Sequence, residues 1–306
     1  MISIFAPAGI GEVIAGTDLA PAMLAAVTDD PCGPLQDGDI VIVTSKIISK
    51  AEGRLEPASR RMEIITSESR RTVARRGETR IVRTRGGLTV AAAGVDASNV
   101  SAESILLLPR DPDASAAALR EQLVAATGLQ LGLIISDTAG RPWRMGQTDH
   151  AIGVSGVQAL QDYVGAKDAY DNELQVTVMA VADELAAAAD LVKGKLRGRP
   201  VAVVRGLGSL VAEADSSARE LLRDPAKDMF SFGSQEAVLA AVLVASGQED
   251  RYEELVALER PEQTSRLLAG TMLGKEAQDL MRAIMSADLT NTQGFELDSP
   301  LLETDR

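Results

Sequence analysis

Residues 133–153 read LIISDTAGRPWRMGQTDHAIG. An apolar run with the pattern of a short buried strand ends at once in Asp137 and Thr138. A carboxylate beside a hydroxyl at the end of a buried strand is one way to hold Mg²⁺ together with phosphate oxygens. Gly140, Pro142 and Gly146 predict a turn-rich loop after the strand. In that loop Arg141 and Arg144 are placed to meet anions, and Trp143 is the only tryptophan. His150 is the only histidine, a candidate acid or base, with a hydrogen-bonded structural histidine as the competing reading.

Further strands are predicted from 39-DIVIVTSKII, 80-RIVRTRGGLTVAAAGV and 200-PVAVVRG. Helical patterns lie between them. Residues 113–126 open on an Asp–Ser capping signal, 177–194 is rich in Ala and Leu, and 216–223 and 234–246 read similarly. Strands interleaved with helices predict an α/β, mixed α+β chain. The length, 306 residues, suggests roughly two domains. Residues 247–306 carry 13 Asp and Glu against 6 Lys and Arg. They read as helices over 252–259 and 261–285 with a polar end from Asp288, an acidic helical extension.

Composition narrows the function. Hydrophobic residues are 45% and aromatic residues only 3%, so the core is aliphatic and base-stacking nucleic-acid modules are disfavoured. The net charge of −13 excludes a generally basic face for nucleic acid. Cys32 is the only cysteine and has no partner in the chain for a disulfide. With one histidine, any metal should sit among oxygen ligands, which favours Mg²⁺ or Mn²⁺ over Zn²⁺. The start, MISIFAPAGIGEV, lacks a basic stretch followed by an apolar core, and no apolar run is long enough to span a bilayer. No signal peptide and no membrane association are therefore expected, and the cytoplasm is the expected compartment.

Four more segments carry candidate chemistry. In 94-GVDASNV, Asp96, Ser98 and Asn99 sit on a turn, where oxygen ligands can converge or an Asx-turn can form. In 44-TSKIISKAEGR, Lys46 and Lys50 share a helix face suited to polyphosphate, or simply to solvent. In 201-VAVVRGLGSLVAEADSSAREL, Gly206 and Gly208 follow a strand, but the third glycine of a dinucleotide loop would fall on Val211. There is no G-x-x-x-x-G-K-[ST] loop either, so a bound nucleotide would use neither standard cradle. Residues 59–85 hold nine arginines, a local basic stretch for an anionic substrate or for the chain's own carboxylates.

Six strings occur in order: TSKIISKAEGR, RTRGGLTVAAAGVDASNV, ISDTAGRPWRMGQTDHAIGVSG, ELQVTVMAVADELAAAADLVKGK, PVAVVRGLG and SSARELLRDPAKDMF. Together they resemble the coenzyme F420-0:L-glutamate ligase family over residues 1–246. The resemblance implies a two-domain α/β fold, two intimately associated subdomains in 1–246, forming an intertwined homodimer. It implies a GTP-dependent ligase that adds L-glutamate to the lactyl carboxylate of F420-0 and then further γ-linked glutamates. It also implies two divalent cations, Mg²⁺ or Mn²⁺, and K⁺.

Carried over by residue, the resemblance puts Asp96 and Asp137 on one metal, and Thr138 with an acidic residue of 213–215, taken as Glu213, on the other. Ile10, Gly11, Glu12 and Val13 match the first nucleotide segment, where relatives often have proline at the position of Gly11. Ser45, Lys46, Lys50 and Asn99 match other nucleotide contacts. Val211, Ala212, Glu213, Ala214, Asp215 and Ser216 match a late nucleotide loop, in which relatives often place a glycine before the serine. Arg83 and Arg85 are the expected contacts for the phosphodiester of F420-0.

The chemistry suits these residue types. Amide formation needs an activated carboxylate, and phosphorylation by GTP supplies an acyl phosphate. The carboxylate must approach a polyanion, and two like unit charges at about 4 Å repel by about 4 kcal/mol at an effective dielectric near 20. Bound cations with Lys46 and Lys50 reverse that sign. Competing readings are a nucleotide-binding regulatory paralogue without ligase activity and a ligase acting on another carboxylate acceptor.

Overall fold

The computed structural model describes residues 1–212, 216–269 and 275–286. The chain divides into two units: Met1–Arg70 with Arg83–Lys227, and Arg71–Val82 with Asp228–Arg306.

The first unit is built on a five-stranded sheet ordered Ser3–Phe5, Val201–Arg205, Ile40–Thr44, Gly132–Arg141, Arg144–Ser155. Ile40–Thr44 and Gly132–Arg141 run parallel, and every other neighbouring pair is antiparallel. Residues 40–43, 133–135 and 201–204 of the central strands are apolar without a break because both faces are covered. Val41, Val43, Leu133, Ile135, Val201 and Val203 pack with Met23, Leu119 and Leu123 of helices Leu19–Thr28 and Pro112–Thr127. Ile40, Ile42, Ile134, Ala202 and Val204 face the other way, onto Ala182, Leu185, Ala186 and Ala189 of helix Val181–Lys193. Alternate residues of each strand thus serve opposite layers. The mixed α/β class expected from the sequence is what the chain forms.

Several local expectations are corrected. The strand read from 39–48 stops at Thr44, and Ser45–Ala51 is a helix. Apolar Ile47 and Ile48 continue the run into the core, so hydrophobicity alone does not mark the switch. The turn-rich loop after Thr138 is instead a long hairpin. Asp137 pairs with His150, Thr138 with Asp149, and Arg141 with Arg144 around a two-residue turn. Trp143 takes φ 59° at that turn, where Gly or Asn is the usual solution. The helix Pro112–Thr127 is capped by Asp111, whose Oδ1 accepts from Ala114 N at 3.1 Å, with Pro112 in the first turn. Asp113, taken as part of the cap, instead accepts from Val154 N at 2.9 Å and Ala218 N at 2.9 Å. Helix 177–194 begins only at Val181, because Val178–Met179 pairs with Gln161–Asp162. Residues 216–223 form a short 3-10 turn, Ala218–Leu221.

The second unit has its own core, from Leu239, Leu243, Leu255, Leu267 and Met285. Helix Ser234–Ser246 belongs to it, so the unit begins at Asp228 rather than at the expected boundary after residue 246. Residues 71–82, the far part of an arginine-rich hairpin, also belong to it. Tyr252 OH donates to Thr72 O at 3.0 Å, and Glu253 accepts from Thr72 N at 2.9 Å and Thr72 Oγ1 at 3.0 Å. Helix Tyr252–Val256 falls within the helix expected over 252–259, and the span expected as one helix over 261–285 holds Arg260–Ala269 and Lys275–Ser286. The polar end from Asp288 lies outside the described residues.

Candidate active site

The parallel ladder between Ile40–Thr44 and Gly132–Arg141 ends at Thr44 opposite Ser136. Ser45 and Asp137 therefore leave the end of that ladder together, the usual place for a ligand crevice in an α/β sheet. Ser45 Oγ donates to Asp137 Oδ1 at 2.6 Å. A register shift between Ile135 and Ser136 lies just before Asp137, and such bulges re-aim the side chains that follow.

Asp137 is only half-buried as a residue, yet its carboxyl group is desolvated. Burial pushes it up to about 6, the Asp149 and Asp96 charges push the same way, and Ser45 and Lys46 oppose. Asp96 has the opposite fate. Burial works to raise it, but hydrogen bonds from Lys46 and Ser98 hold it below the usual carboxylate range. Lys46 Nζ lies 2.5 Å from Asp96 Oδ2 and also donates to Ser98 Oγ. Ser98 N donates to Asp96 Oδ1 at 3.0 Å, so the Asx-turn weighed for this segment is present and the carboxylate still borders the site.

Behind Asp137 lies a buried ion pair. Lys193 Nζ donates to Asp149 Oδ2 at 2.8 Å and to Ser136 Oγ at 2.9 Å. Asp149 Oδ1 accepts from Thr138 Oγ1 at 2.7 Å. The Thr138 hydroxyl proton is thereby committed inward, leaving the oxygen's lone pairs for another partner. Burial works to raise Asp149, but Lys193, Thr138 and Ser136 hold it low.

Two cavities meet here, of about 360 and 390 Å³, each the size of a small-molecule site. Ile10, Gly11, Glu12 and Val13 line the first, as do Lys50 and Asn99. Asp96 and Ser98 line the second. Lys46, Asp137, Thr138 and Lys195 line both. Lys50 reaches Glu12 at 2.7 Å. At Gly11 a Cβ would meet nothing within 4 Å, so the departure from proline there leaves the wall open. The second cavity is also walled by Ala92 at φ 50° and Gly94 at φ 74°. A left-handed alanine costs on the order of 1 kcal/mol, and such backbone gathers at functional sites.

Other candidates lie elsewhere. Val211 bridges Val157, Ala212 N donates to Gly156 O at 3.1 Å, and Ser216 Oγ accepts from Val157 N at 3.2 Å; none of the three lines either cavity. Glu213, Ala214 and Asp215 lie outside the described residues. His150 lies 3.4 Å from Thr148 Oγ1 and lines neither cavity, nor do Arg141 and Arg144. Arg83 and Arg85 are likewise absent from both walls, and Arg85 donates to Ser67 O at 2.6 Å. The arginine that reaches the second cavity is Arg61. Sequence reasoning also missed Asp149, Lys193, Lys195 and Arg199. The signal was there: 193-KGKLRGRP packs four cations between a helix and a strand.

The fold and the paired cavities define a mixed α/β protein with carboxylates and lysines gathered at the ends of parallel strands. The family model described as F420-0:Gamma-glutamyl ligase matches residues 9–60 and 55–206. A Coenzyme F420:L-glutamate ligase of Archaeoglobus fulgidus is 38% identical over 247 residues, covering 74% of this chain and 96% of that protein. One of Methanothermobacter thermautotrophicus is 36% identical over 249 residues, covering 75% and 98%. One of Methanopyrus kandleri is 38% identical over 218 residues, covering 64% and 86%. The chain belongs to the F420-0:gamma-glutamyl ligase family.

Among the described residues no helix is long and apolar enough to cross a membrane.

Proposed function

We propose that this chain is a GTP-dependent ligase that joins L-glutamate to coenzyme F420-0 and then adds further γ-linked glutamates. One observation carries the reading: Lys46, Asp137, Thr138 and Lys195 form the common wall of two cavities, an arrangement that suits a nucleotide on one side and an acceptor on the other. The names of the family and of the relatives support F420-0 and L-glutamate as two of the substrates.

In the first step an acceptor carboxylate oxygen attacks the γ-phosphorus of GTP. The C–O–P bond forms, the β,γ-bridging P–O bond breaks, and GDP leaves with the electron pair. In the second step the glutamate amine attacks the acyl carbon and phosphate departs. The amine sheds its extra proton to solvent. Neither step needs a strong general base, so a chain with one histidine is adequate. Lys46, held against Asp96, and Lys50, held against Glu12, are placed to trade those carboxylates for phosphate oxygens.

The donor set fits divalent cations. Asp96, Asp137 and Thr138 offer oxygen, and Asp137 is a carboxylate whose charge its surroundings oppose. Among the described residues no group of three His, Cys, Asp or Glu converges, so water and substrate phosphates would have to complete the coordination of Mg²⁺ or Mn²⁺. Asp96 and Asp137 would hold one ion, Thr138 and Glu213 the other, with K⁺ as a further cation. When bound, these ions neutralise phosphate charge and polarise the transferring group. A homodimer belongs to this reading. Val164, Tyr170, Val176 and Val178 stand exposed around the small Gln161–Asp162/Val178–Met179 ladder, which buries little of its own apolar surface.

The test is mass spectrometry after incubation with F420-0, GTP, Mn²⁺ and L-glutamate. Added glutamate residues with stoichiometric GDP are expected. Unchanged F420-0 contradicts the reading, and glutamylation of a different carboxylate would instead favour a ligase with another acceptor.

A further inference from the structure

Resting on the ligase reading, we infer that the second cavity is the acceptor's seat, with Lys195 holding its reacting carboxylate and Arg61 its second anion. The cations around the two cavities differ in whether the protein already neutralises them. Lys46 is paired to Asp96, Lys50 to Glu12 and Lys193 to Asp149. Among the described residues the side chains of Lys195 and Arg61 meet no hydrogen-bond or ion-pair partner, although the Arg61 amide donates to Ala58 O. A cation bordering a cavity without an internal partner favours an anion from outside.

Their positions divide the work. Lys195 lines both cavities, beside Asp137 and Thr138, so it sits where the acceptor carboxylate must meet the nucleotide's last phosphate. Arg61 lines only the second cavity, away from the nucleotide-side residues Ile10–Val13. An acceptor with a carboxylate at one end and a phosphodiester farther along would span them. Arg61 brings the planar guanidinium that grips phosphate through two parallel hydrogen bonds. The preceding residue shows the contrast. Arg60 is committed to Glu56 at 2.9 Å and Glu63 at 2.6 Å, on an exposed face.

The Lys195 side chain stabilises the carboxylate as it forms the C–O–P bond and the phosphoryl oxygens as the β,γ-bridge breaks.

The experiment compares Arg61→Ala, Arg61→Lys, Lys195→Ala, Lys195→Arg and the control Arg60→Ala. F420-0 binding is followed by its own fluorescence, GTP binding by calorimetry with Mn²⁺, and turnover by steady-state kinetics. Arg61→Ala should weaken F420-0 binding and raise its KM about tenfold or more, well beyond any change for GTP. Arg61→Lys should recover part of that loss. Lys195→Ala should lower kcat about 100-fold, and Lys195→Arg should restore part of it. Melting curves confirm that each variant is folded. The inference is overturned if Arg61→Ala leaves F420-0 binding intact, if it weakens GTP equally, or if Arg60→Ala matches it. A wild type that binds F420-0 but forms no product sinks the ligase reading alone, and loss of that binding in Arg61→Ala still upholds the seat.

Discussion

Two polar clusters, one in each unit, handle their carboxylates in opposite ways. In the second unit Glu253 accepts from both the amide and the hydroxyl of Thr72, and Glu236 accepts from Arg75 N at 3.0 Å. Those carboxylates close on donors of the protein itself, the Thr72 amide and hydroxyl and the Arg75 amide. In the first unit Asp137 receives one hydroxyl from Ser45 while burial and two neighbouring carboxylates oppose its charge. The contrast separates a carboxylate that completes the fold from one that awaits a ligand.

The contrast has measurable consequences. The largest concerns Asp137→Ala. If Asp137 holds a metal as proposed, its removal should lower ligation by roughly three orders of magnitude, with Tm at or above that of the wild type in metal-free buffer. Product formation by mass spectrometry and calorimetric melting read the two halves. Retained ligation would place Asp137 with the structural carboxylates.

Glu253→Ala should do the reverse. The Thr72 amide loses its acceptor, at a cost of about 1–3 kcal/mol in chemical denaturation, while ligation per folded molecule persists. A variant that kept full stability but lost ligation would erase the distinction between the clusters.

A smaller effect follows from the elevated Asp137 carboxyl. Its pKa is about 6 in the fold against an ordinary 3.8, so the folded chain holds the proton more tightly than the unfolded chain. The stability this group lends is fully present below about 3.8 and is lost as pH rises through about 6. Metal-free Asp137→Asn avoids that loss. It should be more stable than the wild type above pH 7, on the order of 1–2 kcal/mol, with the advantage gone near pH 4. Urea denaturation at both pH values checks the sign, and a gap independent of pH would mean that Asp137 is not strained by its charge.

Much of the first unit was legible. Residues 40–43, 133–135 and 201–204 stand out because double coverage makes them continuously apolar. The carboxylate–hydroxyl step at Asp137 and Thr138 was readable as a site because polar residues interrupt that run abruptly. The hairpin beyond it was hidden. Gly140, Pro142 and Gly146 are turn signals, yet the ladder to the returning strand carries the chain through Gly140 and on to Arg141. The buried Lys193–Asp149 pair was invisible, since 44 residues separate partners that only the packed helix and sheet unite. The boundary at 246 failed because charge changes there, whereas packing changes at Asp228, where helix Ser234–Ser246 joins the core of the second unit.

The central claim is that Asp96 and Asp137 gather cations at the junction of two anion seats. Electron paramagnetic resonance of Mn²⁺ titrated into the wild type with GTP reads it directly. Two tight sites per chain are predicted, with at least one lost in Asp137→Asn and in Asp96→Asn. Equal occupancy and affinity in all three proteins would contradict the account.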